Sequence, residues 1–258
     1  LLLMASLPAI AATPSTLRKL PSMMLDPDSP LRFRITGEWA QLKWGLQFMR
    51  ACRQSQVEHV TRALLGLSFL SRDELNSARQ ADDLQFEYAE PGKLVVYDSE
   101  DGLLSARRQV AFQRHLGCQQ EVIDAAECLS REPALAAYRQ HVHGGVWTPG
   151  DAVGDAHLLS GALMARVQTM GGTVHYACSA VGLRTEAGRV CAVTTAQGEI
   201  AADVVVLANG PGSAALGKAM GLNLPIYPIK GYSVTLPVSN PGRAPTASIT
   251  DLRRKTVY

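Results

Sequence analysis

The sequence lacks a strong excess of either charge. Lys and Arg number 25 against 23 Asp and Glu, so the 258-residue chain carries a net charge of +2. A field this weak does not attract a polyanion unless a local patch does. The basic clusters at 107–108 and 253–255 hold only two and three charges, and we interpret both as solvated surface. No nucleic-acid partner is therefore predicted.

Cysteine is sparse and irregularly spaced. Five cysteines occur, an odd number without a C-x-x-C pair, at positions 52, 118, 128, 178 and 191. This pattern argues against a disulfide framework and favours a reducing compartment. A structural zinc site needs four converging ligands, and His141 and His143 form the only close pair. We therefore predict no metal site.

No hydrophobic run is long enough to cross a membrane. Residues 1–12 are almost wholly apolar, but a spanning helix needs about 20 residues. A secretion signal would need a basic start, whereas the chain begins with Leu1. Residues 255–258 stop in a strand-like run without a following turn. We expect the chain to have been cut from a longer one.

Several common catalytic motifs are missing. The sequence contains no G-x-S-x-G, H-E-x-x-H or G-x-x-x-x-G-K-[ST] string, which argues against hydrolase, zinc-protease and P-loop functions. Asp151 and Asp155 stand four residues apart. Helix capping explains this pair without acid–base catalysis, and Asp155 is the predicted cap.

Hydrophobic periodicity predicts a mixture of helices and strands. Apolar residues spaced by three and four predict amphipathic helices that pack on a core, at 38–52, 57–79, 99–116, 125–129, 155–170 and 213–220. Short β-rich runs predict strands, at 86–88, 93–97, 121–124, 144–147, 173–176, 180–184, 190–194 and 200–203. The turn at Pro91–Gly92 predicts a hairpin between the first two strands. The proline-rich segment 13–36 is predicted to be irregular.

One turn has the composition of a cofactor-binding corner. Residues 204–208 form an apolar run, which predicts a strand buried on both faces of a parallel sheet. Gly210-x-Gly212-x-x-Ala215 follows and matches the dinucleotide fingerprint, with a helix dipole directed at the ligand. The fingerprint also requires a later acidic residue, and none occurs between 204 and 250. A direct grip on pyrophosphate, another cofactor contact and a structural turn all remain open.

The string Ile-Tyr-Pro-Ile-Lys-Gly-Tyr-Ser at 226–233 carries a family resemblance. Together with 204–210, 147–151 and the Gly154–Asp155 pair, it resembles the FAD-dependent D-amino-acid dehydrogenases of bacteria. These belong to the D-amino-acid oxidase and glycine oxidase superfamily. The likeness extends over most of the chain from about Glu38.

The resemblance implies an α/β fold, of mixed α+β type, in which a partial Rossmann-like FAD domain is interleaved with a mixed-sheet substrate domain. Residues 1–145 would form the substrate domain, with an irregular N-terminal segment and helices. Residues 146–225 would form the second part of the FAD domain, and 226–258 would return to the substrate sheet. The family's G-x-G-x-x-G would precede Leu1 and its carboxylate-binding arginine would follow Tyr258. The match at Gly210 would then be coincidental.

The resemblance also assigns site residues. The main chain of Val181 would read the adenine of FAD. Ala208, Asn209 and Gly210 would form the turn beside the cofactor. Gly231 and Tyr232 would lie toward the flavin ring, on the substrate side. No catalytic side chain is assigned, because the flavin performs the chemistry.

The implied activity is oxidation of a D-amino acid to a 2-oxo acid and ammonia. Electrons would pass to a respiratory acceptor such as a membrane quinone. The expected location is cytoplasmic, with peripheral attachment to the bacterial inner membrane as a further option. Two alternatives remain open: a glycine or sarcosine oxidase that uses oxygen, and a catalytically inert fragment.

Overall fold

A computed structural model describes residues 12–25, 37–226, 228 and 230–258. The chain divides into two compact units. Unit 1 comprises Leu1–Arg34, Phe48–Thr169 and Leu236–Tyr258, and unit 2 comprises Ile35–Gln47 and Met170–Thr235. The two units are described separately below.

The described residues form helices and strands, which alternate in the middle of the chain. The helices are α1 (Pro14–Leu25), α2 (Trp39–Ala51), α3 (Gln54–Asp82), α4 (Glu100–Arg114), α5 (Ala125–Arg131), α6 (Ala156–Thr169) and α7 (Ser213–Ala219). Short 3-10 helices span Pro133–His141, Gly210–Gly212 and Pro241–Arg243. The strands are β1 (Lys93–Tyr97), β2 (Glu121–Asp124), β3 (Gly144–Thr148), β4 (Ala180–Glu186), β5 (Arg189–Thr195), β6 (Gly198–Ala201), β7 (Ser248–Asp251) and β8 (Thr256–Val257).

Unit 1 is built on a five-stranded mixed sheet with the order β2-β3-β1-β7-β8. The central strand β1 pairs antiparallel with β3 and parallel with β7, so Val95 lies opposite both Val146 and Thr250. The mixed sheet and the alternation of helices and strands confirm the predicted mixed α/β fold class.

Both faces of this sheet are covered. On one face, Leu94 and Val96 pack in a cluster with Ile123, Cys128 and Leu135. On the other face, Val95 and Val146 pack against Ala106 and Val110 of α4. A strand covered on two sides reads as a continuous apolar run, which explains the sequence of β1.

Helix α5 and the sheet approach each other so closely at β3 that one position of this strand requires glycine. A Cβ atom at Gly145 would lie 2.7 Å from Leu94 Cδ1 and 2.9 Å from Cys128 Sγ. The glycine therefore allows α5 to pack directly against the sheet.

A buried carboxylate fastens the segment that precedes β7. Glu132 is 1% exposed. Its Oε2 accepts hydrogen bonds from the Thr246 N–H (2.7 Å), the Thr246 hydroxyl (3.0 Å) and the Ala247 N–H (2.9 Å), while Oε1 accepts from the Ala134 N–H (3.2 Å). Ionised carboxylates form the stronger class of hydrogen bond, so Glu132 ties residues 246–247 to the 3-10 helix that follows α5.

Unit 2 contains a three-stranded antiparallel sheet with the order β4-β5-β6. This confirms the β-meander predicted after α6. The register between β4 and β5 shifts between Ala180 and Gly182, which leaves Val181 without a partner in the ladder. The short helix α7 lies against β4.

Three predictions about local structure are wrong. Part of the supposedly irregular segment 13–36 forms α1, because Pro14 is tolerated in the first helical turn and Thr13 Oγ1 caps the Thr16 N–H (3.1 Å); residues 26–36 lie outside the described part. The predicted hairpin is absent, since β1 takes β3 and β7 as partners. Residues 173–176 form no strand in the structure.

The apolar run 204–208 is also not the doubly buried strand that its composition predicts. Val204 and Val206 are each 80% exposed, and neither sheet of the described residues includes this run. A strand needs a hydrogen-bonded neighbour, and composition alone does not supply one. The predicted core stripes of α2 and α3 likewise contain exposed residues, including Trp39 and Leu67, whereas the buried positions of α3 are Thr61 and Leu65.

Among the described residues, no helix combines the length and hydropathy that crossing a bilayer would require.

Candidate functional site

The corner after the apolar run is ordered internally and open on one side. Asn209 leads into the 3-10 helix, and its Oδ1 accepts a hydrogen bond from the Ser213 hydroxyl at 2.6 Å. Gly210 has φ +57°, in the left-handed region that favours glycine. No atom lies within 4 Å of the position that a Cβ would take at Gly210. A ligand can therefore approach the backbone here.

Two N–H groups at the same corner are already used within the chain. The Gly212 N–H donates to the Asn209 carbonyl at 3.2 Å, and the Ser213 N–H donates to the Gly210 and Pro211 carbonyls. Helix α7 has seven residues, so its dipole is short. This geometry disfavours a direct grip on phosphate, in agreement with the interpretation of the fingerprint match as coincidental.

Val181 presents its main chain at a bulge in β4. It is 63% exposed and has no opposite residue in β5. Bulges of this kind leave backbone groups unpaired and are common beside active sites. Because α7 lies against β4, unit 2 brings the strand of Val181 close to the element that follows Gly210.

Gly231 and Tyr232 lie on an exposed stretch without regular structure. Tyr232 is 87% exposed, and the Lys230 ammonium lies 5.2 Å from the centre of its ring. A Cβ at Gly231 would meet no atom within 4 Å. Tyr227 and Ile229, which belong to the same sequence string, lie outside the described residues. The predicted site residues thus all belong to unit 2.

The two aspartates near α6 have different roles. Asp155 is the predicted cap: its Oδ1 accepts from the His157 N–H (2.7 Å) and the Leu158 N–H (2.9 Å). The Leu158 bond, followed by the His157 bond, lowers the pKa of Asp155. Asp151 is buried, and its carbonyl accepts from the Gly92 N–H at 3.1 Å.

Metal-binding and redox-active groupings are not a feature of the described residues. All five cysteines are free thiols. In the described residues, no three His, Cys, Asp or Glu side chains come together in a group that could hold a metal ion. His143 Nε2 lies 3.2 Å from Glu100 Oε2, and His141 Nδ1 accepts from Arg253 at 2.8 Å. Each histidine is therefore engaged with a protein partner.

Sequence reasoning missed a polar cavity in unit 1, at the C-terminal end of α3. No motif marks it. The only available signal was the cluster of charged and amide residues over 79–87, which is also typical of an ordinary solvated loop.

The residues in unit 2 fit a flavin nucleotide. Val181 is exposed and has no register partner in the β4–β5 ladder, which suits main-chain hydrogen bonding to a base edge. The space beside Gly210 is open, so the backbone there can contact a flat ligand. The fit concerns these two positions alone.

Comparison with known proteins identifies the family. Residues 31–258 match the family model described as FAD dependent oxidoreductase, DAO. D-amino acid dehydrogenase 2 of Ralstonia nicotianae is 40% identical over 253 residues, which cover 96% of this chain and 60% of that protein. The chain thus spans about 60% of the length of the curated relatives it matches.

Solved structures show the same fold. The L-proline dehydrogenase of P. horikoshii superposes with a TM-score of 0.56 at 17% identity, over 69% of this chain and 47% of that one. The glycine oxidase of Geobacillus kaustophilus gives a TM-score of 0.55 at 25% identity, over 62% and 44%. With a family model that covers nearly the whole sequence, the chain belongs to the DAO family of FAD-dependent oxidoreductases.

Proposed function

We propose that the protein is a D-amino acid dehydrogenase that passes electrons to a respiratory acceptor. The observation that carries the proposal is the 40% identity to a protein named D-amino acid dehydrogenase 2 over 96% of this chain. The open corner at Gly210 supports it, because a blocked corner would leave no room for a cofactor there.

The reaction would remove one hydride and one proton from the amino acid. Bound FAD supplies a two-electron acceptor for the hydride on the substrate Cα. Loss of a proton from the amino group completes an imino acid, and water hydrolyses this to a 2-oxo acid and ammonia. The protein contributes mainly by binding and orientation. A membrane quinone is the proposed final electron acceptor.

Different residues of unit 2 would bind the cofactor and the substrate. Main-chain groups of Val181 would bind the adenine edge, and Ala208, Asn209 and Gly210 would form the wall beside the cofactor. Gly231 and Tyr232 would lie on the substrate side of the flavin ring. The exposure of Tyr232 leaves its hydroxyl free to hydrogen-bond a substrate.

The domain assignment stays a prediction: 1–145 for substrate, 146–225 for FAD and 226–258 for the return to the substrate sheet. The boundary at 145/146 falls inside β3, and α6 belongs to compact unit 1. Gly231 and Tyr232 belong to compact unit 2. The predicted functional domains and the compact units therefore divide this chain at different residues.

Assays of the full-length protein with two electron acceptors test the activity. D-Alanine should reduce a soluble quinone analogue under anaerobic conditions, and L-alanine should not. Rapid formation of peroxide with oxygen would instead indicate the glycine or sarcosine oxidase alternative. Tyr232→Phe should raise KM for D-alanine several-fold, whereas Val234→Ala, at an equally exposed position nearby, should leave KM unchanged.

Binding of FAD tests the cofactor residues without relying on turnover. Val181→Pro removes the main-chain N–H and should weaken FAD binding roughly tenfold, the value of one hydrogen bond at the upper end of its range. Val181→Ala keeps the main-chain groups and should bind as the parent does. Flavin fluorescence quenching measures both, and equal affinities for the two variants would contradict the assignment of Val181.

A further inference from the structure

A cavity of about 380 Å³, open to solvent on one side, lies in unit 1 at the C-terminal end of α3. This volume falls within the range of small-molecule sites, roughly 300–1,000 Å³. Its polar lining residues are Arg79, Gln80, Asp83, Gln85, Glu87 and Tyr88. None of them belongs to the proposed flavin site.

One wall carries a positive charge. The Arg79 guanidinium lies 4.0 Å from the centre of the Tyr88 ring, close enough for a cation–π interaction. Its Nε is buried without a hydrogen-bond acceptor. No ion pair joins Arg79 to a carboxylate within the described part of the chain. The ring thus positions the cation, while the Tyr88 hydroxyl at the ring's edge donates to Glu90 Oε1 at 2.6 Å.

Two exposed carboxylates, Asp83 and Glu87, also line the cavity. Asp83 Oδ1 accepts from the Gln85 amide at 2.9 Å, whereas the Glu87 carboxylate makes no hydrogen bond or ion pair with any described residue. The C-terminus of the 29-residue helix α3 adds a partial negative charge at the same place. Glu87 adopts φ +55°, a conformation that is unusual for a non-glycine residue and is found more often at ligand sites.

Groups of opposite charge therefore line one cavity, and Arg79 and Glu87 do not form an ion pair with each other. A simple anion would be attracted to Arg79 but repelled by Asp83, Glu87 and the helix end. A simple cation would be attracted to these carboxylates but repelled by Arg79. A ligand with both charges a few bonds apart would satisfy both walls.

We propose that this cavity binds a small zwitterion that carries an ammonium and a carboxylate group. The carboxylate would face the Arg79 guanidinium, whose planar fork suits two parallel hydrogen bonds. The ammonium would face Glu87 and the end of α3. The proposal does not depend on the proposed oxidation of D-amino acids.

Calorimetric titration of the 258-residue chain with β-alanine tests the proposal. β-Alanine carries both charges but is not an α-amino acid, so its binding is read separately from D-amino acid oxidation. Acetate and methylammonium, at matched ionic strength, each present one half of the ligand. Saturable binding of β-alanine, at least tenfold tighter than either half, is expected. Equal affinity for acetate or for methylammonium, or no binding of β-alanine, would overturn the proposal.

Two variants assign the contacts. Arg79→Met and Glu87→Gln should each weaken β-alanine binding roughly tenfold or more, because each removes a charge-assisted contact. Arg62→Met and Glu74→Gln, on α3 outside the cavity, should bind as the parent does. Since Arg79→Met also removes the stacking on Tyr88, circular dichroism checks its fold. If that variant unfolds, Glu87→Gln decides the matter, and unchanged binding by it would refute the proposal.

Discussion

The two compact units handle their apolar residues in opposite ways. Unit 1 buries Leu94 and Val96 on one face of its sheet and Val95 on the other. In unit 2, Ala192 is the single hydrophobic side chain that is buried among the described residues. Burial of apolar surface is the dominant stabilising contribution in folding, so unit 1 contains most of what stabilises this chain.

The difference follows from how each sheet is covered. The five-stranded sheet of unit 1 has α4 against one face and α5 against the other. The meander of unit 2 has the seven-residue helix α7 beside β4. Exposed apolar side chains in groups often mark interaction surfaces, and the residues assigned to FAD and substrate all lie in unit 2. The proposed flavin site thus lies in the unit that buries few apolar side chains.

Thiol reactivity should separate the two units most strongly. Cys128 of unit 1 is fully buried, and burial, followed by the nearby charges of Asp124 and Glu127, raises its pKa to about 12. Cys178 and Cys191 of unit 2 are only half-buried. Because the thiolate is the reactive form, a thiol reagent at pH 8 should modify the unit 2 pair at least about a hundredfold faster than Cys128. Peptide mapping by mass spectrometry measures the rates.

A double variant with Cys178→Ser and Cys191→Ser serves as the control, and it should lose the fast phase of modification. Rapid labelling of Cys128 in the parent chain would contradict the tight packing described for unit 1.

Truncation of a core side chain should distinguish the units next. Leu94→Ala, at a fully buried position, should lower the free energy of unfolding by about 3 kcal/mol, since it leaves a cavity. Val206→Ala, at an 80% exposed position, should change it by less than about 0.5 kcal/mol. Urea unfolding followed by circular dichroism measures both, and equal losses would show that residues 204–208 pack like a core.

The buried carboxylate of unit 1 should show a smaller but clear effect. Glu132→Ala leaves the Thr246 and Ala247 N–H groups without their acceptor, at a cost of about 2 kcal/mol. Glu127→Ala removes a partly exposed ion pair with Arg131 (2.6 Å), worth under about 1 kcal/mol. The same urea experiment compares them. A larger loss for Glu127→Ala would refute the role given to Glu132.

The smallest effect concerns Asp155, whose pKa is lowered by the N–H groups of Leu158 and His157. A depressed pKa in the folded state means that the carboxylate stabilises α6 above its unfolded pKa, about 3.9. This contribution is lost as the pH falls through the lower, folded pKa. Asp155→Ala should therefore lower Tm at pH 7, with a difference that shrinks below about pH 4. Asp155→Asn, which also caps helices, should show a weaker pH dependence.

Helices were the most predictable part of the fold. Those predicted at 38–52, 99–116 and 155–170 occur as α2, α4 and α6, because spacing, caps and glycine stops act over a few residues. The same locality explains the cap at Asp155 and the strands β4 and β5 around the Ala187–Gly188 turn. The family could also be predicted from the sequence, because the resemblance depends on a contiguous string of residues at 226–233.

Strand partners and burial were less predictable. Nothing in the local sequence of β1 indicates that it pairs with β3 and β7 rather than with 86–88. The same holds for Glu132, whose partners at 246–247 lie more than a hundred residues away. The cavity beside α3 is lined by Glu87, whose backbone is left-handed. No glycine or asparagine at this position indicates such a conformation.

The sequence by itself determined the fold class, the family and most helix positions, because each depends on near neighbours or on an intact string of residues. The residues assigned to the flavin stay a prediction. Tertiary structure alone decided which apolar runs are buried, where the glycine corner directs its N–H groups and which charges share a cavity. These properties depend on contacts between distant segments. The free energy gained by burying a side chain depends on the residues that cover it, and the identity of the side chain does not specify those neighbours.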